Sequence, residues 1–466
     1  MRVKVSGISR IVRERKTRSN QRVICGNIKK KEGEKEGNIK KKYVLTGGIF
    51  YGSLLQYTFL REIKDTMMIH SCGAEQIPYM KTYVNLPVSL LMTFVYGKAV
   101  DKFGFTNTYR IIYTVLTIVF VGLSFMYMNE EGVGQGVNWI VNIARYPITN
   151  MLYVLSTIWG SFVISLMFWT LANRYHSEKE AKKVYPIFGL VSNTSVICGS
   201  VILRVMSQYL EWKRMIVIVG CVTAVIYMWV MKCYEEVIKN KVINGEVKKN
   251  KKEKEVRIEG TSKEKGFVIS MIVIIVCYAM VTSNFEVLWK AYIKEYFTTA
   301  EEIMRFKGNV SLAKGVMTVL CMGISYVKLE SMSVKSALLV TPCVMIASAG
   351  SFFGGIYLTS DIGVPVMIGA IFASISKAVK YAVFDPTKEV LYINATENVR
   401  TKGKALIDTV SSPLGKGGTS IIQQAIIASC GGITEGVDWI MIVVIVMLIK
   451  WIIAVNVISK TDNKEY

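Results

Sequence analysis

The sequence predicts an all-α polytopic membrane protein of about twelve transmembrane helices in two six-helix halves. Three observations lead there. Of the 466 residues, 52% are hydrophobic, and the mean hydropathy is +0.36, where a soluble chain of this length is balanced or mildly polar. Apolar stretches recur at the roughly 20-residue length that a bilayer core requires. A charged stretch around 234–266 divides them six and six.

Taken in order, the first set of apolar segments lies near 44–60, 82–97, 110–128, 150–172, 184–203 and 214–233, and the second near 267–285, 308–327, 334–357, 363–384, 404–430 and 437–458. The organisation read from this is a basic arm over 1–43, a first half over 44–233, a linker over 234–266, a second half over 267–458 and a tail over 459–466. The stretches 61–81 and 286–307, being charged, are expected as loops. The eleventh segment is the least regular, because Pro413, Gly415, Gly417 and Gly418 fall near its middle, a composition tolerated at membrane depth only where it is packed in protein or lines a cavity. Gly48-x-x-x-Gly52 fits a close helix contact.

Charge sets the orientation. Lys and Arg number 57 against 34 Asp and Glu, giving +23. Residues 1–43 hold 15 basic and 4 acidic groups and residues 232–266 hold 11 and 7, so these two stretches carry +15 of the total. Excess positive charge beside membrane segments marks the cytoplasmic side, which puts both termini there and makes a nucleic-acid partner a poor expectation. Nine Cys without a C-x-x-C and only two His suggest neither a disulfide framework nor a metal site. Neither H-E-x-x-H nor G-x-S-x-G occurs, and Asp385-Pro386-Thr387-Lys388-Glu389 matches the aspartyl-phosphate loop of ion pumps in composition but not in order. No enzyme, no catalytic residue and no cofactor is expected.

An ionisable group within a span is costly, so each one is a candidate for function. Lys416 lies deepest, and glycines around it would free backbone amides beside its ammonium, a combination suited to phosphate or carboxylate; the bland alternative is a packed lysine paired with a buried acid. It is not a P-loop, since Val410 stands where the first Gly should be. Glu286, Lys290 and Lys294 share one helical stripe, as a substrate-linked ion pair or as a solvated row. Lys81 enters the second segment, where an interfacial anchor is the alternative. Lys377 and Lys380 sit three apart in the tenth segment and Lys314 enters the eighth. Cations outnumber anions in these spans, which implies an anionic substrate.

Seven stretches carry a family resemblance: LREIKD at 60–65, GAEQIPYMK at 73–81, WGSFVISLMFWTLAN at 159–173, EAKKVYPIFGLVSN at 180–193, NFEVLWK at 284–290, FDPTKE at 384–389, and TKGKALID with SPLGKGGTSIIQQ across 401–424. They resemble the ATP/ADP translocases (nucleotide transporters) of plastids, intracellular bacteria and microsporidia, in order from about residue 44 onward, and the basic arm and brief loops look most like a microsporidian member. The threefold repeat and P-x-[DE]-x-x-[KR] signature of mitochondrial carriers are missing.

The resemblance implies a fold similar to the major facilitator transporters, in the lipid bilayer, exchanging ATP for ADP or carrying related nucleotides. For a parasite it implies import of host ATP across its plasma membrane, with a mitosome membrane as alternative. The family's charged membrane residues map onto Lys81, Glu286 and Lys416, with Lys81 and Lys416 expected on phosphate and Glu286 with Lys290 in an ion pair or gate. Arg61, Lys64, Asp385, Lys388, Lys377 and Lys380 are secondary candidates. One position departs: Thr157 stands where members often have Glu, which leaves a proton-coupled or net nucleotide importer as the rival. A polytopic transferase is a more distant one, since the loops are richer in Lys than in Asp. Trp159, Trp169 and Trp289 are all candidates to stack on the base.

Overall fold

The computed structural model describes residues 40–130, 138–176, 178–244, 262–328, 332–394, 399 and 404–462. The expected arm up to residue 39 and the linker stretch 245–261 lie outside the described residues. Twelve long helices run through the described chain. In the first half they are α1 (40–67, prolonged by a π-helical turn Met68–Cys72), α2 (76–103), α3 (105–129), α4 (147–175), α5 (Glu178–Tyr209) and α6 (Trp212–Asn244). The second half has α7 (Ser262–Tyr296), α8 (Ala300–Lys328), α9 (Val334–Leu358), α10 (363–394), α11 (Lys404–Cys430) and α12 (Val437–Asp462). Residues 234–244, expected in the linker, continue α6 as helix.

The chain punctuates itself with ordinary local chemistry. Between α2 and α3 it reverses at Gly104, whose φ of 73° suits a residue without Cβ. A short helix, Trp139–Arg145, precedes α4; its cap Asn138 accepts from the Ile140 amide at 3.1 Å. Pro147 then starts α4, whose first amides are satisfied by Glu130: Ile148 N donates to Oε1 at 2.8 Å and Thr149 Oγ1 to Oε2 at 2.6 Å.

Two expected loops shrink to short turns, at 73–75 and 297–299. Residues 61–67 belong to α1, and 286–296 and 300–307 belong to α7 and α8. Their charges neutralise one another across the two halves, which lets the helices run on into the protein. The eleventh segment is likewise one helix, Lys404–Cys430, with Pro413 inside it. Proline at that point removes a single amide, and the helix is kept by its packing against α7: a Cβ on Gly415 would lie 2.6 Å from Ala279 Cβ.

Within lipid, helices gain nothing from hydrophobicity against one another, so close packing must hold them. At the crossing of α1 with α6, a Cβ on Gly52 would fall 2.5 Å from Val230 Cγ2, and one on Gly48 3.3 Å from Trp229. At the crossing of α5 with α8, which joins the halves, a Cβ on Gly315 would fall 2.5 Å from Ile197 Cγ1. The outward faces are apolar, with Leu90, Ile118, Ile371 and Ile453 all more than half exposed. Each half has its own core, but the cores trade residues: Met68, Ile77 and Met80 pack with the second half, and Ala300 and Met304 with the first. Those residues lie near the 73–75 turn and at the start of α8, so the halves are knitted together at that end.

Gly52→Val should lower thermal stability in detergent by about 1–3 kcal/mol through overpacking, while Gly97→Val, where nothing lies within 4 Å, should leave it unchanged.

Candidate functional site

Between the halves lies a cavity of about 240 Å³ lined by α1, α7, α8 and α10. Most of its charges come from the stretches 61–81 and 286–307, which the sequence pattern reads as loops, with Lys314 and Lys377 from expected spans, and most of them form one network. On α1, Arg61 Nη2 pairs with Glu62 Oε1 at 2.8 Å and Lys64 Nζ lies 3.5 Å from Asp65 Oδ1. On α7, Lys290 Nζ pairs with Glu286 Oε1 at 2.7 Å. Crossing between halves, Lys290 reaches Asp65 Oδ2 at 3.0 Å, and Lys307 of α8 reaches Asp65 Oδ2 at 3.3 Å and Glu62 Oε2 at 3.4 Å. Ser311 Oγ donates to Glu62 Oε1 at 2.7 Å. Glu62, Lys290 and Lys307 are buried, with side chains 4–6% exposed, so the pairing is what makes their burial tolerable.

The expected pair Glu286–Lys290 is therefore present, but not as a solvated row: Lys294, on the same stripe, turns away and donates to the His70 carbonyl at 2.6 Å. Arg61 and Lys64 are both in the network, Lys64 also lying 4.2 Å from the ring centroid of Tyr153. In α10, Lys380 pairs with Asp385 at 3.2 Å and sits over Tyr381 at 4.5 Å. Lys388 lies further along the same helix, outside the cavity lining.

Four lysines are different. Lys81, Lys314, Lys377 and Lys416 form no ion pair with a described residue, although each lies within electrostatic reach of others in the network: Lys81 of Glu286 and Lys416, Lys416 of Glu286 and Lys64, and Lys314 and Lys377 of Arg61 and Glu62. Lys314 lies 5.5 Å from the Trp289 ring. Lys81 and Lys380 each occupy a π-helical stretch, Met80–Asn85 and Lys380–Phe384, a winding frequent at functional sites. The expected free amides beside Lys416 are absent: the helix is continuous there, and Ser420 Oγ even takes the Lys416 carbonyl at 3.0 Å. What Lys416 offers is its exposed ammonium alone.

The structure separates the three tryptophans. Trp159 is fully buried against Tyr113 in the first-half core, and Trp169 packs on Phe50 and Phe168. Trp289 lines the cavity, its Nε1 donating to the Val366 carbonyl at 2.9 Å and its ring so close to Gly369 that a Cβ there would fall 2.1 Å from Cδ1. Phe285 and Phe372, with centroids 3.8 Å apart, extend this aromatic wall. Thr157 accepts from Asn85 Nδ2 at 3.3 Å, a neutral pair.

Glu62, Asp65 and Lys307 are the residues that sequence reasoning missed. Glu62 and Asp65 lie three apart and so share a helix face, the one signal available; their partner Lys307 lies more than 240 residues away. Toward the end that carries the 73–75 and 431–436 turns, further contacts seal the halves. Glu75 Oε1 accepts from the Ile433 amide at 2.8 Å, Gln424 Nε2 reaches Thr82 Oγ1 at 3.0 Å, and Trp212 N donates to Glu301 Oε1 at 2.8 Å.

The family model of the TLC ATP/ADP transporters matches residues 36–461. A chloroplastic ADP,ATP carrier protein 1 of Arabidopsis thaliana is 29% identical over 91% of this chain and 74% of its own length, and the ADP,ATP carrier protein 1 of Rickettsia prowazekii is 27% identical over 91% and 93%. Among solved structures, a bacterial homologue of the iron transporter ferroportin in an inward-facing state aligns with a TM-score of 0.64 at 12% identity, covering 90% of this chain and 98% of that one. The inward-open xylose transporter XylE from E. coli aligns at 0.57 and 11%, covering 88% and 96%, and the nucleoside transporter NupG at 0.57 and 11%, covering 90% and 98%. These last likenesses show the fold alone, a helical bundle similar to the major facilitator fold.

Glu62→Gln should lower stability in detergent by about 3–5 kcal/mol, because Arg61 and Lys307 lose a buried countercharge. Lys307→Gln should cost less, since both its carboxylates keep a cation on α1, and the double variant should show a coupling of about 0.5–3 kcal/mol in a thermal-unfolding cycle.

Proposed function

The chain belongs to the TLC ATP/ADP transporter family, and from that premise we propose a transmembrane nucleotide carrier, not an enzyme, that exchanges ATP for ADP by alternating access to the central cavity. One observation carries the reading at the level of chemistry: Lys314 and Lys377 line that cavity and Lys81 and Lys416 lie within electrostatic reach of its network, and among the described residues none of the four forms an ion pair. Cations set within membrane-spanning helices without ion-pair partners call for an anion, and a nucleotide brings three or four negative charges on a chain of phosphates. Lysine suits this task, being a compact point charge whose three donors turn to meet a moving ligand. Lys81 and Lys416 take the phosphate chain, with Lys314 and Lys377 beside them, while the base lies along the wall of Trp289 and Phe285. Trp289 is held in place by Val366 and Gly369, so stacking there costs little ordering.

Access alternates by rocking of one six-helix half on the other about this site. The positive arm and linker favour cytoplasmic termini, and the basic arm and brief loops support a microsporidian type of member, for which the membrane is the parasite plasma membrane and the carrier draws in host ATP. Exchange of ATP for ADP moves one charge, worth about 2.3 kcal/mol per 100 mV, so membrane potential biases its direction. The neutral Asn85–Thr157 pair favours one second reading, net import of nucleotide, and the same assay decides between them.

In proteoliposomes, uptake of labelled ATP should require internal ADP. Lys416→Ala and Lys81→Ala should each cut uptake at least tenfold while leaving the thermal transition in place, and Trp289→Ala should raise KM more than it lowers the maximal rate. Unchanged uptake in Lys416→Ala would remove that residue from the site; uptake that ignores internal nucleotide would select net import.

A further inference from the structure

We propose that Lys307 is the residue that makes exchange strict, by holding the empty carrier shut until a nucleotide can take the place of its two carboxylates. The proposal rests on the nucleotide-exchange reading above and adds the group that forbids the unloaded protein to return. When the halves part at the sealed end, α1 leaves α7 and α8, and every ion pair between them breaks. Most of the charges involved keep a partner on their own half. Glu62 keeps Arg61 at 2.8 Å, Asp65 keeps Lys64 at 3.5 Å, and Lys290 keeps Glu286 at 2.7 Å.

Lys307 is the exception. Its ion pairs are with Glu62 and Asp65, at 3.4 and 3.3 Å, and its further hydrogen bond goes to the Glu62 carbonyl at 3.5 Å. All three acceptors lie on α1, and among the described residues no carboxylate of the second half pairs with it. Its side chain is 6% exposed, and the cavity it lines already holds Lys314 and Lys377 without ion pairs. Opening an empty carrier therefore leaves one buried ammonium without an anion, beside cations that repel it. A bound nucleotide removes the obstacle, because a phosphate oxygen can meet Lys307 Nζ as Glu62 and Asp65 withdraw. Lys307 thus acts as a gate charge: the carrier opens loaded and stays shut empty, which is strict exchange.

The test compares uptake of labelled ATP into ADP-loaded and empty proteoliposomes, and reads the ratio of empty to loaded rates. The unaltered protein should give a ratio below about one tenth. Lys307→Gln, which abolishes the orphan charge, should raise that ratio at least tenfold, whereas Lys307→Arg, which keeps the charge, should preserve it. A merely structural lysine would change both rates together and leave the ratio alone, so an unaltered ratio in Lys307→Gln overturns the proposal. Loss of uptake in both kinds of vesicle, with ATP still raising the thermal transition, also overturns it, since Lys307 would then be needed for translocation itself. Should Lys307→Gln fail to reach the membrane, Asp65→Asn weakens the same lock from α1 and must raise the ratio, or the proposal falls. Equal uptake by the unaltered protein into empty and loaded vesicles defeats the gate while nucleotide transport stands; no ATP uptake into either defeats the exchange reading itself.

Discussion

Glu62 and Asp65 on α1, facing Lys290 and Lys307 on the other half, are held where water is scarce, and their mutual neutralisation allows the two halves to meet. A carboxylate or ammonium left alone there would cost several kcal/mol. The contact is therefore conditional: it is favourable only with every partner in place. Apolar packing alone would join the halves irrespective of what occupies the cavity. An ionic seam joins them in a way that an anion can compete with, and this ties the closure of the protein to the chemistry of its cargo.

Around that seam the charge is deliberately unbalanced. The acids Glu62, Asp65 and Glu286 are each claimed by a cation at 3.0 Å or less, which leaves no carboxylate for Lys81, Lys314, Lys377 or Lys416. A fully neutral cavity would have been more stable and would have bound nothing charged. The aromatic wall serves the same end from the other side. Lys314 lies over Trp289, whose ring face offers partial compensation to an ammonium without the finality of a carboxylate, so the lysine is kept in position yet still available to phosphate.

Much of the helical frame is legible in the sequence, because a span needs about 20 apolar residues and a run of that length declares itself locally. Legibility fails where the reason for a residue lies elsewhere in the chain. Residues 61–67 and 286–307 read as loops because their charges look exposed when only neighbours in sequence are considered; Glu62 and Lys307 explain each other across 245 positions. Lys416 was readable as a deep lysine, but the glycines around it suggested a broken helix. Packing of Gly415 on Ala279 shows a different reason for at least one of them, which is to let α11 approach α7. The choice of Trp289 over Trp159 and Trp169 is likewise a matter of which face of the bundle each helix turns to the centre, which the sequence around each tryptophan does not state.

Helix winding supplies the last piece. A π turn carries one residue more than an α turn and rotates everything beyond it about the axis. In α2 the π stretch holds Lys81, and the remainder of the helix shows Leu90 and Leu91 outward. In α10 the π stretch holds Lys380 and Tyr381, and the next residue in line is Asp385, the partner of Lys380. In both helices the π stretch thus falls at a lysine, and the extra residue per turn resets which side chains beyond that point share a face with it.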